Sequence, residues 1–219
     1  QDMERELKWT LVAGAQTRVT RNRDPEVFRL MQDFRPFFRL ILGRKWVLAD
    51  RAVVTPEDIE GCAFVNPRGQ GVVVLVSWYA SRFQPDEKRD QRVSVAFEED
   101  IYKTMYLASP DRCGRYRLRP ERDGERYDIV LPLHNSTSVI VFESGGVHLA
   151  LEAGDMVAAD ERPRATAVLD NLTAEEVSGE LTIEAAGRTR TAPCTAGPGG
   201  AARLALELDV SAAVDGRIP

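Results

Sequence analysis

The sequence predicts a mainly β protein, an antiparallel β-sandwich preceded by a short helical segment and followed by a smaller immunoglobulin-like β module. Three observations carry this. Short apolar or alternating segments recur at regular spacing between residues 45 and 145, each bounded by turn residues. The run Val72 to Trp78 is apolar almost throughout, as is typical of a central strand. Before Lys45 the apolar period is helical instead.

The helical segment has clear punctuation. Asp24-Pro25-Glu26 is a helix start, since Asp caps orphan amides and Pro at the first helical position loses nothing. Val27, Leu30, Met31, Phe34, Phe37, Phe38 and Ile41 then form one stripe at helical spacing. Pro36 is expected to kink or split that helix, and Gly43 to stop it. A shorter helix is expected over Met3 to Val12. The stripe reads as core, and it needs a surface to cover.

Strands are expected at Trp46 to Leu48, Cys62 to Val65, Val72 to Trp78, Arg92 to Glu98, Tyr102 to Ala108, Tyr116 to Arg119, Tyr127 to Leu131 and Ser138 to Phe142. Pro67-Arg68-Gly69-Gln70-Gly71 supplies one turn, and Asp123-Gly124 is a hairpin signal. Ser144-Gly145-Gly146 looks like a joint. Beyond it, His148 to Leu151, Thr166 to Leu169, Ser178 to Glu184, a piece after Gly187 and Arg203 to Val210 read as extended. The expected division is therefore 1–44 helical, 45–145 sandwich and 146–219 small module.

Composition narrows the partners. The 219 residues are 43% hydrophobic and 29% charged, an ordinary globular balance. A net charge of −5 leaves no basic surplus for phosphates, so nucleic acid is not an expected partner. No apolar run approaches the roughly 20 residues a spanning helix needs, and no membrane partner is expected. Arginines number 25 against four lysines, which reads as the codon usage of a GC-rich genome; an anion-binding surface is the functional alternative, against which acids are interleaved almost everywhere. Both an exported and a cytoplasmic setting fit. Gln1 at the start and the tail through Ile218-Pro219 suggest a piece of a longer protein.

Chemistry-bearing motifs are few. Cys62, Cys113 and Cys194 stand far apart with no CxxC, so no zinc site is expected. Cys62 and Cys113 read as buried thiols, with a bridge between neighbouring strands as the alternative. His134 in Pro132-Leu133-His134-Asn135-Ser136 and His148 after the glycine joint read as surface or turn histidines. Gly69-Gln70-Gly71 lacks the Lys and helix of a phosphate loop. Glu98-Glu99-Asp100 and Glu175-Glu176 read as solvated turns rather than calcium ligands. No cofactor, metal or catalytic residue is expected. The one binding constellation is Trp78-Tyr79-Ala80-Ser81-Arg82-Phe83, where Trp78 and Tyr79 would stack on sugar faces and Arg82 would bond hydroxyls. Trp78 as the lid of a core is the competing reading.

A family resemblance follows from longer stretches. Arg35 to Leu48 resembles the passage from the last barrel helix into the C-terminal sandwich of TIM-barrel glycoside hydrolases, α-galactosidase-like enzymes among them. Ile129 to Phe142 resembles their closing hairpin, and Leu11 to Gln16 is similar to the final barrel strand and loop. Thr166 to Glu184 resembles an immunoglobulin-like accessory module. The resemblance implies a non-catalytic C-terminal accessory region that braces an upstream catalytic domain of the same protein and contacts carbohydrate. It also implies that the missing barrel would cover the Phe stripe. The alternatives are an independent carbohydrate-binding or cell-surface adhesion and spacer module, and a self-sufficient sandwich enzyme with converging acids.

Overall fold

The computed structural model describes residues 2–15, 24–48, 52–81, 86–98, 101–119, 121–153, 164–185 and 188–207. It is mainly β, with antiparallel sheets preceded by two helices. The chain divides into two compact units, residues 1–113 with 118–144, and residues 114–117 with 145–219. The helical segment belongs to the first unit rather than standing apart.

In the first unit, α1 spans Asp2–Val12 and α2 spans Pro25–Leu40. Asp24 caps α2 by accepting from the Glu26 and Val27 amides, and Pro25 opens the first turn. Pro36 does not split α2, which runs through it to Leu40. Gly43 follows in the left-handed region, at φ +70°. The strands are β1 (Lys45–Trp46), β2 (Val53–Val54), β3 (Glu60–Val65), β4 (Gly71–Val76), β5 (Gln91–Ala96), β6 (Thr104–Ser109), β7 (Arg112–Leu118, of which 114–117 belong to the second unit), β8 (Glu121–Asp123), β9 (Arg126–Leu131) and β10 (Thr137–Glu143). One sheet runs β1-β3-β4-β10-β6 and the other β2-β5-β9-β8. The Asp123-Gly124 turn joins β9 to β8, and β8 is a short strand that the sequence pattern does not announce. β2 is likewise unannounced.

Every residue of β4 is buried, because its alternating side chains serve two layers. Val72, Val74 and Val76 join Val139 and Val141 of β10 against Leu7 and Leu11 of α1 and Leu30, Phe34, Phe37 and Ile41 of the α2 region. On the other face Leu75 approaches Val53 of β2 over Gly61. There too, Phe142 of β10 meets Tyr127 and Phe97 edge-on, at centroid distances of 5.4 and 4.8 Å. The Phe stripe therefore has its partner within this chain, and no absent barrel is needed to cover it.

Leu11 and Val12 close α1 and Ala13-Gly14 turn out of it, so the expected barrel strand at Leu11 to Gln16 is not formed over its described part. Gly14 has φ +59°, and a Cβ there would meet Arg44 Nε at 2.6 Å and the Phe64 ring at 2.9 Å. Only glycine fits this exit.

The second unit contains β11 (Val147–Ala153), β12 (Arg164–Asn171), β13 (Val177–Ala185), β14 (Arg188–Ala196) and β15 (Ala201–Glu207). β12 pairs antiparallel with β11 and β15, while Tyr116 of β7 pairs in parallel with Leu151. The β13-β14 hairpin lays Leu181 and Ile183 on Ala167, Leu204 and Leu206, a small second core. Asn171, fully buried, donates to the Glu175, Ala196 and Gly197 carbonyls and accepts from the Thr173 amide and hydroxyl. It fixes the corner between β12 and β13.

Candidate functional site

The aromatic pair expected to bind sugar lies just past β4. The strand ends at Val76, and Ser77 donates its amide to the Ser136 carbonyl, so chain direction is still set there. Trp78 is half-buried against the apolar cluster beneath the helices, and its Nε1–H donates to the Glu60 carboxylate at 2.5 Å. Trp78 is thus partly a core lid, as the competing reading had it. Tyr79 is 90% exposed. Arg82, the third member of the expected set, lies outside the described residues, as does Phe83.

Beneath this segment lies a buried polar network that the sequence does not reveal. Lys8 of α1, 2% exposed, donates to the Ser77 and Ala80 carbonyls at 3.2 and 2.5 Å and pairs with Glu4 at 3.4 Å. Burial lowers the Lys8 pKa below 10.5, while the carboxylates of Glu4 and Asp111 oppose that shift. Ser136 Oγ lies 3.1 Å from Glu4 Oε1 and 2.9 Å from Asp111 Oδ2. Helix α1 is thereby tied to both ends of the segment carrying Trp78 and Tyr79.

His134 corrects its sequence reading. It is fully buried rather than at the surface, bridging Ser138 Oγ through Nδ1 at 2.8 Å and Ser77 Oγ through Nε2 at 3.2 Å. Its backbone exchanges two hydrogen bonds of 2.7 Å with Lys88. The physical reason is that a proline-led loop crossing between sheets carries backbone groups that need partners, and the imidazole bonds on both edges when enclosed. A Ser–His contact here is sealed from solvent and has a second serine where a nucleophile–base pair would need an orienting carboxylate. His148 donates from Nε2 to the Gly145 carbonyl at 2.6 Å.

Around the aromatic pair, Lys88 is ion-paired with Asp58 and lies 3.6 Å from Asp86. Ser77 Oγ donates to the Asp58 carbonyl at 3.4 Å. The segment 77–81 is thus bordered by Asp58 and Glu60. Among the described residues no group of three metal-ligating side chains comes together. No described helix is long and apolar enough to cross a membrane. Cys62 is a free thiol that donates to the Val12 carbonyl at 2.9 Å, and burial, aided by Glu60, pushes its pKa up to about 12. Cys194 is also free, and the Cys113 side chain lies outside the described residues.

No protein-family model matches the chain, and no curated protein sequence matches it. Among solved structures, the chain is similar to a Paenibacillus sp. cycloisomaltooligosaccharide glucanotransferase complexed with cycloisomaltoheptaose, at 14% identity and a TM-score of 0.46. The match covers 64% of this chain and 27% of the glucanotransferase chain. At that level the likeness assigns no activity.

Proposed function

We propose that the chain is a non-catalytic accessory region of a glycoside hydrolase, bracing a catalytic domain and contacting carbohydrate through Trp78 and Tyr79. The observation that supports it is the pairing of a wide-open tyrosine with a tryptophan fixed in place. Tyr79 keeps 90% of its surface in solvent, while the adjoining indole is held by Glu60 and the core. A ring with few rotatable bonds on a braced segment loses little entropy when it stacks on a sugar. The Glu60 carboxylate beside the indole uses one oxygen on Trp78, and its second oxygen is an acceptor suited to a sugar hydroxyl.

The test is affinity electrophoresis through gels containing neutral polysaccharides, with aryl-glycoside turnover measured alongside. The chain should be retarded by at least one neutral polymer, and Tyr79→Ala should abolish most of that retardation without changing the far-UV spectrum. Unchanged mobility in every polymer would remove the carbohydrate contact. Turnover of an aryl glycoside by this chain alone would remove the non-catalytic assignment.

A further inference from the structure

A second surface of the first unit collects cationic side chains. Where α2 ends beside the β3–β4 turn, a cleft of about 670 Å³ is lined by Arg35, Arg39 and Arg68, with no Asp or Glu in its lining. Arg35 and Arg39 are four residues apart on α2 and so share a face. Arg68 comes from the turn that Asn66 organises. None of the three forms an ion pair with a carboxylate among the described residues, in a chain whose arginines are otherwise interleaved with acids.

The walls are built rather than incidental. Asn66, 6% exposed, donates to the Leu40 carbonyl at 3.0 Å and to Gln70 Oε1 at 2.6 Å, and accepts from the Arg68 and Gln70 amides. This welds the turn to the end of α2. It also occupies a terminal helix carbonyl that would otherwise repel an anion. Gln70 Nε2 lies 2.9 Å from both oxygens of the buried Glu143 carboxylate and caps it. Pro36, having no amide hydrogen, cannot take the Gln32 carbonyl, and both residues line the cleft.

We infer that this cleft binds the oxyanion group of an acidic glycan, a carboxylate or sulfate gripped by the three guanidinium groups. Guanidinium forks match two oxygens of a carboxylate or of a tetrahedral oxyanion in two-bond geometry. The Gln32 carbonyl and side-chain amide offer further partners for hydroxyls, which a glycan has and an inorganic ion lacks. The volume falls within the roughly 300–1,000 Å³ usual for small-ligand clefts. A nucleic acid fits less well: three arginines in one cleft on a chain of net charge −5 are not an extended phosphate track, and no aromatic ring lines the cleft for base stacking. The carbohydrate class of the ligand rests on the function proposed above, but the residues are different, so the two readings fail separately.

The experiment compares polygalacturonate, dextran sulfate, uncharged dextran and single-stranded DNA by affinity electrophoresis and titration, at low and high salt. Arg35→Gln/Arg39→Gln/Arg68→Gln is set against Arg5→Gln/Arg29→Gln/Arg92→Gln, which removes the same charge elsewhere. All six side chains are exposed, so both triples should fold. An acidic polymer should bind more tightly than dextran, weaken with salt, and lose roughly tenfold in affinity in the cleft triple, a few-fold per exposed arginine. The control triple should change it by less than about twofold. Equal losses in both triples, no preference for acidic over uncharged polymer, or tighter binding of single-stranded DNA would overturn the inference. A chain that keeps this binding in Tyr79→Ala but loses it in the cleft triple separates this site from the aromatic one.

Discussion

The ammonium of Lys8 donates to the main-chain carbonyl of Ser77 at 3.2 Å, joining residues 69 apart in sequence inside the protein. Its partner Glu4, 1% exposed, in turn meets Ser136. A buried pair broken on one side leaves an uncompensated charge, which costs about 3–5 kcal/mol. Lys8→Met should therefore destabilise the first unit by that amount in urea unfolding, and Lys8→Met/Glu4→Gln by clearly less. If the double variant proves as unstable as the single one, the pair is not the source of the cost.

The same lysine has a pH signature. Its pKa is lowered in the fold, so between that value and 10.5 the unfolded chain binds more protons than the folded one. Stability conferred at this site accordingly rises with pH up to 10.5. Unfolding measured from pH 7 to 10.5 should lose this upward contribution in Lys8→Met/Glu4→Gln. An identical pH slope in wild type and variant would contradict it.

Cys62 acts in the opposite sense. With its thiol pKa raised from 9.0 to about 12, the unfolded chain releases the proton first, so stability falls as pH rises from 9 toward 12. The loss approaches about 1 kcal/mol per pH unit, and Cys62→Ala should flatten it. At pH 8 the native thiol should resist iodoacetamide, and peptide mapping should find Cys62 alkylated only after denaturation.

Glu60 holds the Trp78 indole, and its removal should release the ring. In a background of Trp9→Phe/Trp46→Phe, Glu60→Ala should shift Trp78 emission to the red, with a stability cost below about 1 kcal/mol for one partly exposed hydrogen bond. Glu60→Gln, which keeps an acceptor, should not shift it. An unchanged spectrum in the alanine variant would mean that core packing alone fixes the ring.

Phe34 is fully buried between α2 and the sheet, whereas Phe28 of the same helix is 56% exposed. Phe34→Ala should cost about 3–5 kcal/mol in equilibrium unfolding. Phe28→Ala should cost within about 0.5 kcal/mol. Similar losses at both positions would be inconsistent with helices docked by this stripe.

Much of the fold is legible in the residues. Asp24-Pro25 sets a helix start through capping chemistry that acts within three residues. The unbroken apolar run of β4 identifies a central strand, though not what covers its two faces. β2 escaped because two residues, Val53 and Val54, show no period. The aromatic pair was legible at Trp78 and Tyr79 as residue types. Which of the two is pinned and which is open depends on Glu60, a partner 18 residues away. The arginine cleft was legible only as an excess of arginine.

Local sequence determined where helices begin, where strands run and where glycine must stand, because capping, periodicity and φ are decided by near neighbours. Tertiary structure alone decided that the Phe stripe covers the sheet of its own chain, that His134 is buried between two serines, and that Arg35, Arg39 and Arg68 line one cleft. Each of these depends on groups distant in sequence sharing one small volume. Burial, charge pairing and hydrogen-bond satisfaction belong to that volume and are written in no single segment.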